Sequence, residues 1–178
     1  MGRTRTEESE RNMKATLIEY IEHYLGIGWV PIPLHDVHSG YCSCSKAANC
    51  GSGGKHPRVY QSDAKAADRQ TWQEWIKNWP NMNLAVLTGS AYGFFVVDID
   101  PRHGGDTNFA EFCKSHGLPP KTLEAQSGGG GRHLFFKIHG DQPIKTDVNV
   151  LGYGIDIRGD GGIIVVEPSV TQGAYKWL

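Results

Sequence analysis

Apolar residues recur along this chain with two alternating periods. Met13, Leu17, Ile21, Tyr24 and Leu25 repeat at helical spacing and Gly26 ends the run, so a first helix beginning near Met13 packs one face inward. Trp29-Val-Pro-Ile-Pro-Leu34 predicts a short edge-like strand, because its prolines cannot donate to a ladder. Asp68 opens a further helix with Trp72, Trp75, Ile76 and Trp79 on one stripe, stopped by Pro80. At that spacing an aromatic stripe predicts core rather than a base-stacking platform. Strands follow at 83–88 and 94–100, separated by the turn Thr88-Gly-Ser90. Asp106 is expected to cap a helix through His116 that buries Phe109, Phe112 and Cys113 and stops at Gly117. Beyond it lie a strand from His133 to Ile138 and another at 154–158. Gly159-Asp-Gly-Gly162 then predicts a tight turn that brings Ile163–Val166 back as a hairpin partner. The element order is α/β.

Polar residues on these strands change the picture. In Gly93-Phe-Phe-Val-Val-Asp-Ile-Asp-Pro101 the alternation puts Asp98 and Asp100 on one face and Val97 and Ile99 on the other. Two carboxylates so close repel each other, and a divalent cation or a shared proton relieves them. The same grammar in Gly154-Ile-Asp-Ile-Arg158 puts Asp156 and Arg158 on one face. Three carboxylates on adjacent strands suit a two-metal phosphoryl-transfer centre. The plainer readings are a strand end that caps the segment after it and an ordinary Asp–Arg pair on a hairpin face. Between the two acidic strands, Gln126-Ser-Gly-Gly-Gly-Gly-Arg-His-Leu-Phe-Phe-Lys137 feeds a glycine run into a strand, with His133, Phe135 and Lys137 on one face. Glycines let backbone amides approach a phosphate, and Arg132 and His133 add charge and donors there. A mobile linker and a structural histidine are the rival explanations.

Read together, Val-Val-Asp98-Ile-Asp100-Pro-Arg, Ser127-Gly-Gly-Gly-Gly-Arg-His133-Leu-Phe-Phe and Gly-Ile-Asp156-Ile-Arg158-Gly-Asp-Gly-Gly-Ile-Ile-Val resemble the bifunctional primase-polymerase (Prim-Pol) domain of the archaeo-eukaryotic primase superfamily. The likeness runs from about Met13 to Trp177. It departs at Val166-Glu-Pro-Ser169, where relatives more often carry an apolar residue and paired prolines. The resemblance implies a mixed α/β fold with an RRM-like catalytic sheet, an N-terminal α/β element and a small zinc-binding loop. It implies Asp98, Asp100 and Asp156 as ligands of two Mg2+ or Mn2+ ions, and His133 as a contact to the incoming triphosphate. Ser127, Gly130, Arg132, Arg158 and Lys145 are further candidates for binding that nucleotide. The implied reaction is template-directed nucleotidyl transfer by a DNA primase or polymerase, on a single-stranded DNA template and primer with dNTP or NTP. Its implied setting is the replication of a phage, plasmid or mobile element, with a helicase region behind the catalytic domain. A zinc-bearing DNA-binding module without catalysis and a metal-dependent nuclease or phosphohydrolase are the alternatives.

Cys42-Ser-Cys44 with Cys50 and His56 places three thiols and an imidazole within fifteen residues, at 41–58, amid Gly, Ser and Asn that permit tight bends. A closed tetrahedral Cys3His zinc site of structural type explains the set. His35 and His38 are rival fourth ligands, and disulfide pairing is the rival chemistry. Cys113 lies far away in a helix, which argues against an even disulfide framework. No signal peptide or transmembrane run is visible, which predicts a reducing cytoplasm and no membrane partner.

Composition adds limits. With 178 residues, five Trp, six Phe and seven Tyr, the chain can bury a sizeable core. A net charge of −1 offers no bulk attraction to nucleic acid, so binding must rest on local patches such as Arg102-His103, Lys55-His56-Pro-Arg58 and Lys137. The expected organisation is a flexible segment at 1–12 and a single catalytic domain at 13–178. An ending at Tyr175-Lys-Trp-Leu178, without a polar tail, is expected of a fragment of a longer replication protein.

Overall fold

The computed structural model describes residues 17–140 and 142–178. The expected segment 1–12 and the helix start near Met13 lie outside them. The chain divides at Ala85/Val86 into two compact units.

In the first unit, helix α1 (17–26) turns Leu17, Ile21 and Tyr24 inward as its spacing predicts. Leu25 is a correction: it is 44% exposed, one position off that stripe. Trp29 closes the helix end, donating its amide to the Tyr24 carbonyl and stacking on the Tyr24 ring. Strand β1 (Pro31–Leu34) is buried throughout. A small hairpin, β2 (Val37–His38) and β3 (Tyr41–Cys42), turns through Ser39 and Gly40, both at positive φ. That conformation is the one a two-residue hairpin loop demands. Helix α2 (Gln61–Ala66), which the hydrophobic pattern did not signal, precedes α3 (Arg69–Asn78). Asp68 caps α3, accepting from the Thr71 amide at 2.8 Å, and Trp72 and Ile76 are buried. Trp72 and Ile76 are therefore core, while Trp75, packed edge-on to Trp72, and Trp79 are half-buried. Strand β4 (Asn83–Leu87) carries the chain into the second unit.

The second unit is built on an antiparallel five-stranded sheet of order β10-β6-β7-β5-β8. Its strands are β5 (Phe94–Ile99), β6 (Leu123–Gln126), β7 (Arg132–Lys137), β8 (Ile155–Arg158) and β10 (Lys176–Trp177). One face carries the cluster Val97, Ile99, Leu134, Ile155 and Ile157, with Phe109 of helix α4 (Gly105–His116) packed against it. Three expectations are corrected here. Gly104, in a left-handed conformation, is the N-cap of α4, and Asp106 lies in its first turn. Phe109, Phe112 and Cys113 are half-buried, because α4 covers the sheet with only part of its circumference. Most consequential, β8 and β9 (Ile163–Val166) do not form a hairpin: β8 pairs with β5, and β9 lies in a different sheet beside β4.

Gly105 shows how the unit holds its loops together. Its amide donates to the Asp100 carbonyl at 2.9 Å, while the Asp100 amide donates to the Gly154 carbonyl at 2.8 Å. A Cβ at Gly105 would overlap the Gly154 carbonyl oxygen and stand 2.8 Å from that of Asp100. Gly105→Ala is therefore expected to cost about 2–3 kcal/mol by overpacking, read as a lowered midpoint in urea with an unchanged slope.

Candidate functional site

Strand pairing alone builds a polar row across three neighbouring strands. In the β5–β7 register Asp98 stands opposite His133, and in the β5–β8 register it stands opposite Asp156. Directly opposed residues share a face, so His133, Asp98 and Asp156 line up on the side of the sheet away from the apolar cluster. Asp98 Oδ1 lies 3.4 Å from His133 Nε2, and its Oδ2 lies 3.3 Å from Arg158 Nη2. The same Arg158 nitrogen is 2.8 Å from Asp156 Oδ2, while Asp156 Oδ1 accepts the Asn149 amide at 3.0 Å. Burial alone would push the Asp98 carboxyl upward, but His133 and Arg158 outweigh it and hold the group below the usual carboxylate range. Asp98 is therefore ionised at neutral pH. His133 is 3% exposed, and its Nδ1 is buried with no hydrogen-bond partner among the described residues.

Asp100 follows the end of β5 and is engaged differently. It caps a short 3-10 turn, Pro101–His103, accepting from the Arg102 amide at 3.0 Å. The Arg102 guanidinium grips both carboxylate oxygens, at 2.9 and 2.7 Å, and His103 Nδ1 lies 3.1 Å away. Arg102, burial notwithstanding, drives the Asp100 carboxyl far below the usual range. The sequence offers Arg102 as part of a basic patch and as the arginine that ends Asp100-Pro-Arg, with no role of its own. The stronger signal was Asp-Pro-Arg itself, since Pro101 fixes the turn that returns the guanidinium onto Asp100.

The glycine loop folds back on itself. Ser127 exchanges backbone bonds with Gly131 and Gly130 at 2.8 and 2.9 Å, and its hydroxyl accepts the Gly131 amide at 3.0 Å. A Cβ at Gly131 would overlap the Ile99 carbonyl oxygen, and one at Gly129 would stand 3.2 Å from the Arg102 guanidinium carbon. The loop thus packs closely against the Asp100–Arg102 turn. Arg132 is not brought to the carboxylate row. One residue out of phase with His133, it lies over Phe109 on the opposite face and pairs with Glu124 at 2.5 Å. Lys145 is exposed and forms a backbone bridge with Asp160. Tyr175, which the sequence did not single out, is 3% exposed and lies 5.8 Å from the His133 ring.

The first unit holds a second polar cluster. The ligand atoms of Cys42, Cys44, Cys50 and His56 all lie within 4.8 Å of one another. Among the described residues no other group of three or more His, Cys, Asp or Glu converges in this way. His56 Nε2 is 3.4 Å from the sulfurs of both Cys42 and Cys50. Bond lengths of about 2.3 Å to sulfur and 2.0 Å to nitrogen at a tetrahedral ion put such atoms about 3.5 Å apart, so the set fits zinc. All four cysteines are free thiols, which removes the disulfide alternative. His35 is not a member of the set: it stacks on the His56 ring at 4.5 Å and approaches the Ser43 hydroxyl at 3.2 Å. Burial opposes ionisation of Cys42 and Cys44, yet backbone amides, from Gly54 and Cys44 at the first and Lys46 and Ala47 at the second, help bring both thiols below their ordinary value. At Cys50 the Ser52 amide favours the thiolate, but burial and the Cys44 and Cys42 sulfurs push the thiol up.

A family model described as "Bifunctional DNA primase/polymerase, N-terminal" (Prim-Pol) matches residues 21–178. The chain belongs to the Prim-Pol family. That membership supports primase or polymerase activity in general, with nucleic acid and nucleotides as the substrates. No curated protein matches the chain. No helix among the described residues is long and apolar enough to cross a membrane.

Proposed function

We propose that this chain carries out template-directed nucleotidyl transfer, extending a primer on a single-stranded DNA template with dNTP or NTP as a DNA primase or polymerase. The observation that carries the reading is the in-register row His133–Asp98–Asp156, which sets two carboxylates beside a buried imidazole. Asp98, Asp156 and, from the turn that follows β5, Asp100 would hold two divalent cations, Mg2+ or Mn2+. Hard oxygen donors suit those ions, and Arg158 and Arg102 on the same oxygens mark the positions as cation-seeking. Such ions, when bound, lower the pKa of the primer 3′-hydroxyl and neutralise the departing pyrophosphate.

The protein's own residues supply position and charge. His133 and Arg158 face the carboxylates and would orient the triphosphate, with the backbone of Ser127–Gly131 and the Ser127 hydroxyl beside it. Lys145 is a candidate for a more distant phosphate contact. Arg132, tied to Glu124, serves the reading less well. Cys42, Cys44, Cys50 and His56 would hold a structural Zn2+, since four protein ligands leave no open position. The antiparallel sheet with α4 on one face and the carboxylates on the other is consistent with the RRM-like catalytic sheet of archaeo-eukaryotic primases. Replication of a phage, plasmid or mobile element, with a helicase region following, is the setting that fits.

The test is a primed single-stranded template incubated with Mg2+ or Mn2+ and each nucleotide set. Growth of the primer that requires nucleoside triphosphates supports transfer. Shortening without nucleotides would replace the reading with a nuclease, and retained DNA binding with no change in length would replace it with a zinc-bearing binding module.

A further inference from the structure

Arg158 occupies an unusual position for a residue whose expected task is to meet a phosphate. A single nitrogen, Nη2, reaches Oδ2 of Asp156 at 2.8 Å and Oδ2 of Asp98 at 3.3 Å. The hydrogen bonds of its side chain among the described residues all go to these two carboxylates, through that one nitrogen. Arg102 and Arg58 are held more firmly. Arg102 binds Asp100 through two nitrogens and Gln172 through a third at 3.0 Å, and Arg58 is anchored on the Leu34 carbonyl as well as on Asp36 and Ser43. The Arg158 side chain is 30% exposed, so its guanidinium is not enclosed in a packed core.

Magnesium takes carboxylate oxygens at about 2.0–2.1 Å, well inside the separations at which Nη2 stands. An ion and this guanidinium therefore compete for the same two oxygens, and like charge adds to the steric conflict. We propose that Arg158 is a displaceable internal counter-ion: it neutralises Asp98 and Asp156 until a divalent cation takes them, and the released guanidinium then turns to the triphosphate. This rests on the reading of Asp98 and Asp156 as cation ligands. It makes cation entry and nucleotide binding positively coupled, because the cation frees the arginine that the phosphates recruit. It also lets the carboxylates stay together without a metal, since Arg158 offsets their mutual repulsion.

The experiment measures Mn2+ binding to the zinc-containing protein, without DNA or nucleotide, by the electron paramagnetic resonance signal of free Mn2+, with Asp98→Asn as the blank. Arg158→Gln is expected to bind Mn2+ about tenfold more tightly than the wild type, because the competing cation is gone. The same variant is expected to bind a non-hydrolysable dNTP analogue about tenfold more weakly in the presence of Mn2+. Arg158→Lys keeps the charge and is expected to stay within about threefold of wild type for Mn2+. In the wild-type protein, the guanidinium resonance of Arg158, assigned by its loss in Arg158→Lys, is expected to shift when Mg2+ is added. Asp98-dependent Mn2+ binding that is no tighter in Arg158→Gln, or an Arg158 resonance that ignores Mg2+, overturns the proposal and leaves the polymerase reading standing. Tighter Mn2+ binding in Arg158→Gln by a protein that extends no primer upholds the counter-ion and removes the polymerase reading. Binding that Asp98→Asn does not alter overturns both.

Discussion

Asp98→Asn is expected to reduce primer extension by about a thousandfold or more while leaving the protein folded. Asp98 is the central member of the row, the residue that both His133 and Asp156 oppose. An amide keeps the shape of the carboxylate and loses the charge that would hold a cation. Stability is expected to move by no more than about 1 kcal/mol, because opposing contributions leave together: the cost of burying the ionised group, and its attraction to His133 and Arg158. The apolar cluster on the other face, Val97, Ile99, Leu134, Ile155 and Ile157, is untouched. The check is extension rate beside a thermal melt of the same preparation. A variant that keeps a tenth of wild-type activity would remove Asp98 from the chemistry, whereas lost activity with a collapsed melt would point to a structural role.

The carboxylate row was legible in sequence because it depends on the period-two alternation of strands, which is a local property. Val-Val-Asp-Ile-Asp and Ile-Asp-Ile-Arg both announce which side chains share a face. That Asp156 could lie beside Asp98 was legible as well; the register that sets the two directly opposite was not. What failed were features set by distant partners. Gly159-Asp160-Gly161-Gly162 has the composition of a hairpin turn, yet Asp160 accepts the Ser90 amide at 2.5 Å and Gly159 donates to the Thr146 hydroxyl, so the segment splits two sheets. Strand β6, Leu-Glu-Ala-Gln, alternates but is only four residues long and carries just one large apolar side chain, so it was not announced by its pattern; β7 offers it a ladder, with Leu123 opposite Phe135. Arg132 was grouped with His133 by adjacency, although adjacent strand residues face opposite ways; the alternation used for the aspartates decides that case too.

The charges at the carboxylate row also explain why the fold tolerates it. Each aspartate has an arginine two residues away or across the ladder: Arg102 for Asp100, Arg158 for Asp156 and Asp98. Those carboxylates stand half-buried near the end of β5, where the strand runs into its terminal turn. Further back on the same face, Phe94, Val96 and Phe135 are buried. Apolar anchoring behind and ionic balance in front let one strand serve both core and site.

Cys44→Ser is expected to abolish zinc binding and to lower the melting midpoint by about 6–10 °C, roughly 2–3 kcal/mol for a chain of this size. Between β3 and α2 the helical structure is one short 3-10 turn, Ala47–Asn49, none of whose residues is buried. The loop has no apolar core of its own, so a bound ion would be what orders it. The three sulfurs, held with the His56 imidazole within 4.8 Å of one another, repel each other as the thiols ionise, and Cys50 already feels Cys42 and Cys44 in this way. A dication reverses that sign. Damage is expected to stay local, because Arg58 pins both flanks of the loop, reaching Asp36 and Ser43 at 2.6 Å and lying over the Trp79 ring. Zinc content by atomic spectroscopy, beside far-ultraviolet circular dichroism, checks this, with Cys113→Ser as the variant that should keep its zinc. Full zinc content in Cys44→Ser would strike Cys44 from the ligand set and return His35, stacked on His56, to consideration as a ligand.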